Sequence, residues 1–223
     1  VRLSWRRWRG QELQSDSKMS FADSLSPELL LAAYRGGYFP MPDPDTEEIL
    51  WFNPDPRAVI PLDQFHISRS LRRTAKKELY KVSFNRNFAG VIEGCADRPA
   101  TWISADIKRA YLRLFELGFG HSVEVWGGDG TLLGGVYGLS QGGVFHAESM
   151  FSRSTDASKI ALWALTARMK DCGLSLLEVQ FMTPHLKSLG AVNISKNKYI
   201  QLLSECLQSQ TVFKPTNDFY NLG

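Results

Sequence analysis

Two short apolar runs in this 223-residue chain carry polar groups where a buried strand should have none, and chemistry would sit on those groups. The first is GGVFHAESMFSRSTDASK, Gly142 to Lys159, which reads as a buried strand, a loop and the start of a helix. Alternation puts Val144, His146, Glu148 and Met150 on one strand face and Phe145, Ala147 and Ser149 on the other. An unpaired carboxylate is too costly to bury, so Glu148 must be paired, hydrogen-bonded or used. The second run, LLEVQFM from Leu176 to Met182, sets Glu178 and Gln180 on one face and Val179 on the other. Two strands presenting polar groups from an apolar context predict the floor of an active site.

Other chemistries are poorly supplied. His66, His121, His146 and His185 show no metal-ligand spacing, although alternation sets His146 beside Glu148. Cys95, Cys172 and Cys206 lack a C-x-x-C pairing, so neither a disulfide framework nor a zinc site is indicated. No metal and no cofactor are expected, and a reducing cytoplasm is the expected compartment. No apolar run approaches the roughly 18 residues of a membrane span. Residues 1–18 hold Arg2, Arg6, Arg7, Arg9 and Lys18 against Glu12 and Asp16, which accounts for the whole net charge of +3. The overall balance therefore says little about partners, and local charge must be read instead.

The elements that would position these groups are readable in outline. Residues 1–18 form a polar, basic arm without apolar periodicity. Ser26 and Pro27 start a short helix that Gly36-Gly37 stops. Phe39 to Pro61 is too rich in proline for a helix and reads as short extended pieces, with Trp51 and Phe52 buried. HISRSLRRTAKKELYK gives a basic helix or turn, YKVSF a strand, and Asn87 to Cys95 a helix. From Thr101 the pattern is cleaner. Ile107, Tyr111, Leu114 and Leu117 recur at helical spacing, and three strands follow: HSVEVW, TLLGGVYGLS and VFHAESMF. Asp156 can cap a helix over Ala157 to Lys170, SLLEVQFM is a fourth strand, PHLKSLGA a short helix, and Lys196 to Leu207 a last amphipathic one. Three regions result: the arm, a mixed region over 19–95 and a catalytic domain over 96–223.

Helix, antiparallel meander, loop, helix and strand is the order of the acyl-CoA N-acyltransferase fold, so the expected class is α+β with an N-acyltransferase-like domain. In that fold a glycine-rich loop before the central helix cradles a cofactor pyrophosphate on backbone N–H groups. Here the loop reads SRSTDASK, without glycine and with Asp156 where phosphate charge would fall. That argues against coenzyme A.

The chain resembles the bacterial leucyl/phenylalanyl-tRNA–protein transferases. The matching pieces are AYRGGYFPM, WFNPDPRAV, HISRSLRR, VIEGCADRPATWIS, ELGFGHSVEVW, GGVYGLSQGGVFHAESMFSR and the pair EVQ and SLGA, in the family's order from Ser24 to about Tyr199. The resemblance implies transfer of Leu, Phe or Met from charged tRNA to the N-terminal Arg or Lys of proteins, marking them for degradation. It implies Gln180 as the catalytic glutamine, Glu178 as the carboxylate before it, and Glu148 as the group holding the donor's α-amino group. Glu178 replaces an Asp of the family, one methylene longer. The implied aminoacyl and adenosine pocket is Met41, Trp102, Val136, Phe145, Met150, Leu165 and Leu177. Met41 replaces a Trp there, and Leu165 an aromatic residue. Arg69, Arg72, Arg73, Lys76 and Lys77 match the family's patch for the tRNA acceptor stem. The partners implied are aminoacyl-tRNA and proteins with a basic N-terminus, with no membrane and a monomeric chain.

This equipment suits the reaction. An activated ester meets an α-amine of pKa about 8, and holding the two in contact supplies much of the rate. A glutamine amide is too weakly basic to keep a proton, so Gln180 would accept a hydrogen bond from the amine and orient it, with Glu178 polarising that contact or taking the proton. Selecting among aliphatic donors by size alone is worth only about 1–3 kcal/mol. Blander readings compete: a basic helix face is usually a solvated surface, and Glu148 can form an ion pair with Arg153 or Lys159. Two other functions remain open on this scaffold. One is a CoA-dependent N-acetyltransferase; the other is a non-catalytic binder of tRNA or basic N-termini.

Overall fold

The computed structural model describes residues 25–43, 48–76, 80–99, 101–216, 218–220 and 222; the arm over residues 1–18 and Lys77 lie outside the described residues. Helix α1 (Pro27–Arg35) begins as its sequence dictates, with Leu29 N donating to Ser26 Oγ at 3.2 Å and proline in the first turn. Strands β1 (Phe39–Pro42) and β2 (Ile49–Phe52) pair antiparallel as a separate two-stranded sheet. Trp51 and Phe52, expected to be buried, are only half-buried, because a two-stranded ribbon cannot cover both of its faces.

The remaining strands build one seven-stranded sheet. They are β3 (Arg57–Ile60), β4 (Tyr80–Phe84), β5 (Gly120–Gly127), β6 (Leu132–Gln141), β7 (Val144–Ser152), β8 (Leu176–Glu178) and β9 (Val192–Ile194), in the order β4-β5-β6-β7-β8-β3-β9. β4 to β7 are antiparallel neighbours, whereas β8 lies parallel to β7. A parallel neighbour requires a crossover, supplied by helix α5 (Ala157–Cys172). β3 then pairs antiparallel with both β8 and β9. Thus β3 and β4, from the region expected to be irregular, complete the same sheet, and β9 was not foreseen because three residues of mixed polarity carry no pattern.

Helices α2 (Arg69–Lys76), α3 (Phe88–Ala96), α4 (Ala105–Glu116), α6 (Pro184–Ser188) and α7 (Lys196–Leu207) complete the chain. α5 covers one face of the sheet, packing Ile160, Ala161 and Leu165 against Val123, Val136 and Phe145. α1, α3 and α4 cover the other face, where Leu30, Val91 and Ile107 meet Tyr137 and Leu139. Leu117, expected in the apolar stripe of α4, is exposed just past the helix end. Asp156 takes the N-cap position of α5, but its side chain makes no capping hydrogen bond. It sits at φ 63° and turns its carboxylate to Lys159 Nζ at 2.7 Å.

One irregularity changes which face the end of β7 presents. Pairing between β6 and β7 shifts by one residue, so Tyr137 opposes Ser149 and Gly138 opposes Ala147, leaving Glu148 as the extra residue of a β-bulge. The bulge needs Gly138: a Cβ there would lie 2.0 Å from the His146 carbonyl oxygen. Beyond a bulge the alternation inverts. Met150, placed by strict alternation on Glu148's face, instead packs with Phe145 and Ala147 on the α5 side. No helix among the described residues is long and apolar enough to cross a membrane.

Candidate active site

β8 ends at Glu178, and the backbone leaves extended geometry two residues later, with Gln180 at φ 62°. A left-handed conformation is unfavourable for a residue with a side chain by roughly 1–2 kcal/mol, so something must hold it. Glu178 does. Its Oε1 accepts the Gln180 backbone N–H at 2.5 Å, and the Gln180 carbonyl accepts Ala58 N at 3.1 Å. Glu178 and Gln180 therefore meet through the backbone, and the Gln180 side chain goes elsewhere. Its Nε2 donates to Glu148 Oε2 at 2.9 Å.

Glu178 itself is clamped from both neighbouring strands. Arg57 on β3 donates Nε to Oε1 at 2.8 Å, and His146, its partner in the parallel register with β7, places Nδ1 3.1 Å from Oε2. All three side chains are 0% exposed. The guanidinium also donates to the Gly37 carbonyl at 3.0 Å and lies between the rings of Phe39 and Tyr199, 4.6 and 4.4 Å from their centroids. Burial alone would raise the Glu178 carboxyl, but the Arg57 charge and the His146 hydrogen bond outweigh it and hold it below the usual range. Burial pushes His146 the other way, favouring the neutral ring, so Nδ1 carries the proton given to Glu178.

Glu148 has the opposite character. Burial raises its carboxyl to about 7, the Glu178 charge adds to this, and hydrogen bonding from Tyr34, Tyr111 and Gln180 opposes it. Tyr34 on α1 and Tyr111 on α4 are wholly buried and bonded hydroxyl to hydroxyl. That bond uses one phenolic proton and leaves the other for the carboxylate beside it. Glu148 forms no ion pair with Arg153 or Lys159, which bind Asp97 and Asp156 instead. The site thus joins one carboxylate fixed in its ionised state to another poised near neutrality, with Gln180 bonded to the first through its backbone N–H and to the second through its side-chain amide.

The other residues singled out in the sequence fall into separate places. Val136, Phe145, Leu165 and Leu177 are buried in the α5-side core, with half-buried Met150 against it. Met41 and Trp102 belong to the cluster on the opposite face and are not brought together with those five. Arg69, Arg72, Arg73 and Lys76 stand exposed on α2, which Leu71 anchors, and none of the four makes an ion pair among the described residues. Sequence reasoning missed Arg57, Tyr34 and Tyr111. Arg57 carried a usable signal, since a charge heading the apolar run AVIP poses the same question as Glu148 in its strand.

An antiparallel meander followed by a crossover helix and a parallel strand, with its polar groups at the parallel seam, is an N-acyltransferase-like fold. Comparison with known proteins narrows that class. Residues 59–204 match the leucyl/phenylalanyl-tRNA protein transferase family, and residues 23–55 match the N-terminal domain of the same family. Proteins named leucyl/phenylalanyl-tRNA–protein transferase are similar over most of their length. One from Ruegeria pomeroyi is 50% identical over 194 residues, 85% of this chain and 90% of its own. One from Cereibacter sphaeroides strain KD131 is 49% identical over 193 residues, covering 86% and 90%. One from Gloeobacter violaceus is 46% identical over 191 residues, covering 86% and 98%. The chain belongs to this family of aminoacyltransferases. The two matched segments are separated by residues 56–58, at the start of β3, so β4 and α3 fall within the longer match.

Proposed function

We propose that the chain moves Leu, Phe or Met from charged tRNA to the N-terminal Arg or Lys of acceptor proteins, forming a peptide bond and a degradation signal. The observation that carries the reading of the site is the 2.9 Å bond from Gln180 Nε2 to Glu148 Oε2. It fixes the side-chain amide so that Gln180 Oε1 points away from the carboxylate and can accept a hydrogen bond from the attacking amine. Glu148 holds the donor's α-ammonium group, and the donor ester is thereby set beside the amine that Gln180 orients. Both oxygens of Glu178 are occupied, so it acts as a positioning residue and not as the proton acceptor.

The amine nitrogen bonds to the ester carbonyl carbon, the bond to the tRNA ribose oxygen breaks, and the amine's proton leaves with that oxygen. No metal or cofactor is called on, since orientation of two bound reactants can supply about 7–11 kcal/mol of the barrier. The exposed cations of α2 bind acceptor-stem phosphates, giving affinity and salt dependence without reading sequence. The three cysteines are free thiols, which suits a reducing cytoplasm, and the proposed acting unit is a monomer.

The test is direct. Labelled Leu-tRNA or Phe-tRNA is incubated with the protein and a peptide beginning with Arg, and label on the peptide is the expected result. Acetylation from acetyl-CoA without transfer from tRNA, or tRNA binding with neither product, overturns the reading. Gln180→Ala should lower kcat about 100-fold while tRNA affinity stays within about two-fold; equal losses in both would remove Gln180 from the chemistry.

A further inference from the structure

At the opposite edge of the sheet from β9, the outer face of β4 and β5 carries an arrangement that the transfer site does not use. Lys81 and Trp126 are directly opposed across the two strands, with Ser83 and Glu124 opposed two residues along on the same face. The indole is fixed by a chain of hydrogen bonds. Trp126 Nε1 donates to Ser83 Oγ at 2.8 Å, and Ser83 Oγ donates to Glu124 Oε2 at 2.5 Å. Glu124 is buried and also accepts the backbone N–H groups of Arg86 and Asn87, each at 3.3 Å, at the start of α3.

The chain's last turn closes the other side. Tyr220 bridges Val82 on the β4 edge, its N–H donating to the Val82 carbonyl at 2.7 Å, and this lays Phe219 over the outer face. Arg86 and Lys81 stand 4.4 and 5.5 Å from the Phe219 ring centroid, while the ring itself is 45% exposed. Between the phenyl ring, the indole and the two cations is a cavity of about 400 Å³, floored by the turn at Gly127, Gly128 and Gly130. Asp129 in that turn is engaged locally, accepting from Thr131 N and Thr131 Oγ1 at 2.9 Å each.

This chemistry is a nucleotide's complement. Two aromatic walls offer stacking to a base of any identity, and two cations offer charge to a phosphate. Its surroundings favour the same occupant. A second cavity of about 390 Å³ shares Lys81 and Phe219 with the first and extends to Ala75 and Tyr80 at the end of α2. Lys81 and Phe219 thus link the first cavity to the end of α2, the helix that carries the exposed cations Arg69, Arg72, Arg73 and Lys76.

We infer that the Lys81–Arg86–Trp126–Phe219 pocket is a second nucleic-acid contact, taking one nucleotide of the donor tRNA away from its aminoacyl end. The inference rests on the tRNA-dependent reading above. It assigns base stacking to Trp126 and Phe219 and phosphate binding to Lys81 and Arg86, extending the track of α2 beyond the acceptor stem.

The experiment measures tRNA binding as a function of salt, and transfer from two donors, with the full chain. One donor is Leu-tRNA; the other is leucyl-adenosine, which lacks the tRNA body. Lys81→Ala/Arg86→Ala should lower the slope of log affinity against log salt by about 0.7–0.9, the share of one phosphate. It should weaken transfer from Leu-tRNA and leave transfer from leucyl-adenosine at the wild-type rate. Phe219→Ala should weaken tRNA about ten-fold with the slope unchanged, as lost stacking would. Lys81→Arg/Arg86→Lys should keep the wild-type slope. An unchanged slope in the alanine double variant overturns the inference. So does an equal loss with leucyl-adenosine, or a changed KM for the acceptor protein in place of the tRNA effect. If the wild-type protein neither binds tRNA nor transfers from it, the functional reading itself falls, and that result is distinct from the others.

Discussion

Arg57 and Arg73 carry the same guanidinium into opposite surroundings. Arg57 is wholly buried at the seam of β3 and β8, ion-paired to Glu178 and held between two aromatic rings. Arg73 is exposed on α2 among like charges, with no ion pair among the described residues. In the interior, desolvation makes each charge depend on one partner at one distance, so the pair fixes geometry. On the surface, water and salt screen every pair, so the cations act together on a distant polyanion and fix little. The proposed function places the chemistry in the first regime and the capture of nucleic acid in the second.

Removing Arg57 probes that contrast most severely. Arg57→Met leaves Glu178 as an uncompensated buried charge and should lower stability by about 3–5 kcal/mol in urea denaturation. Adding Glu178→Gln should recover part of the loss, because the orphaned charge is then gone. A single variant within about 1 kcal/mol of wild type would mean that the buried pair fixes nothing.

Glu148 sharpens the comparison, being buried without a cation. Its carboxyl stands at about 7 in the folded protein against an ordinary 4.5, so its ionised form is disfavoured by folding. The native advantage is complete below pH 4.5 and is lost as pH rises through 7. Glu148→Gln cannot ionise, so relative to wild type it should gain stability between those limits, by up to about 3 kcal/mol at pH 8. Denaturation midpoints of both proteins at pH 4.5, 6 and 8 provide the measurement, and a difference independent of pH would refute the assignment. At the surface the effect is smallest. Arg73→Ala should weaken tRNA binding a few-fold, reduce the salt slope by about 0.7–0.9 and leave the melting temperature unchanged. Unaltered binding would detach α2 from the nucleic acid.

Much of this molecule could be read along the chain because the information was local. Ser26-Pro27 at the start of α1, and the spacing of Ile107, Tyr111 and Leu114 in α4, act within a turn or two. The meander, the crossover helix and the strand bearing Glu178 follow from periodicity in the same way. Glu148 and Gln180 stand out in the sequence because a polar group in an apolar run demands a reason. What alternation could not supply was how they meet. Met150 changes face because Glu148 is the extra residue of a bulge, and the bulge exists because Gly138 lets the His146 carbonyl approach. Gln180 reached Glu148 through a left-handed turn that no propensity favours at glutamine. Asp156, a good capping residue by type, took Lys159 as its partner instead.

The sequence by itself determined most of the elements, their order and the identity of Glu148, Glu178 and Gln180 as polar groups in apolar runs, since these depend on neighbours within a few positions. The tertiary structure alone decided the charge state of each site group. Glu178 and Glu148 are the same residue type in similar apolar runs, yet Arg57, 121 residues distant along the chain from Glu178, reaches only one of them. Burial raises both carboxyls, a single guanidinium reverses the effect at Glu178, and which carboxylate receives that guanidinium is settled only when β3 comes to lie against β8.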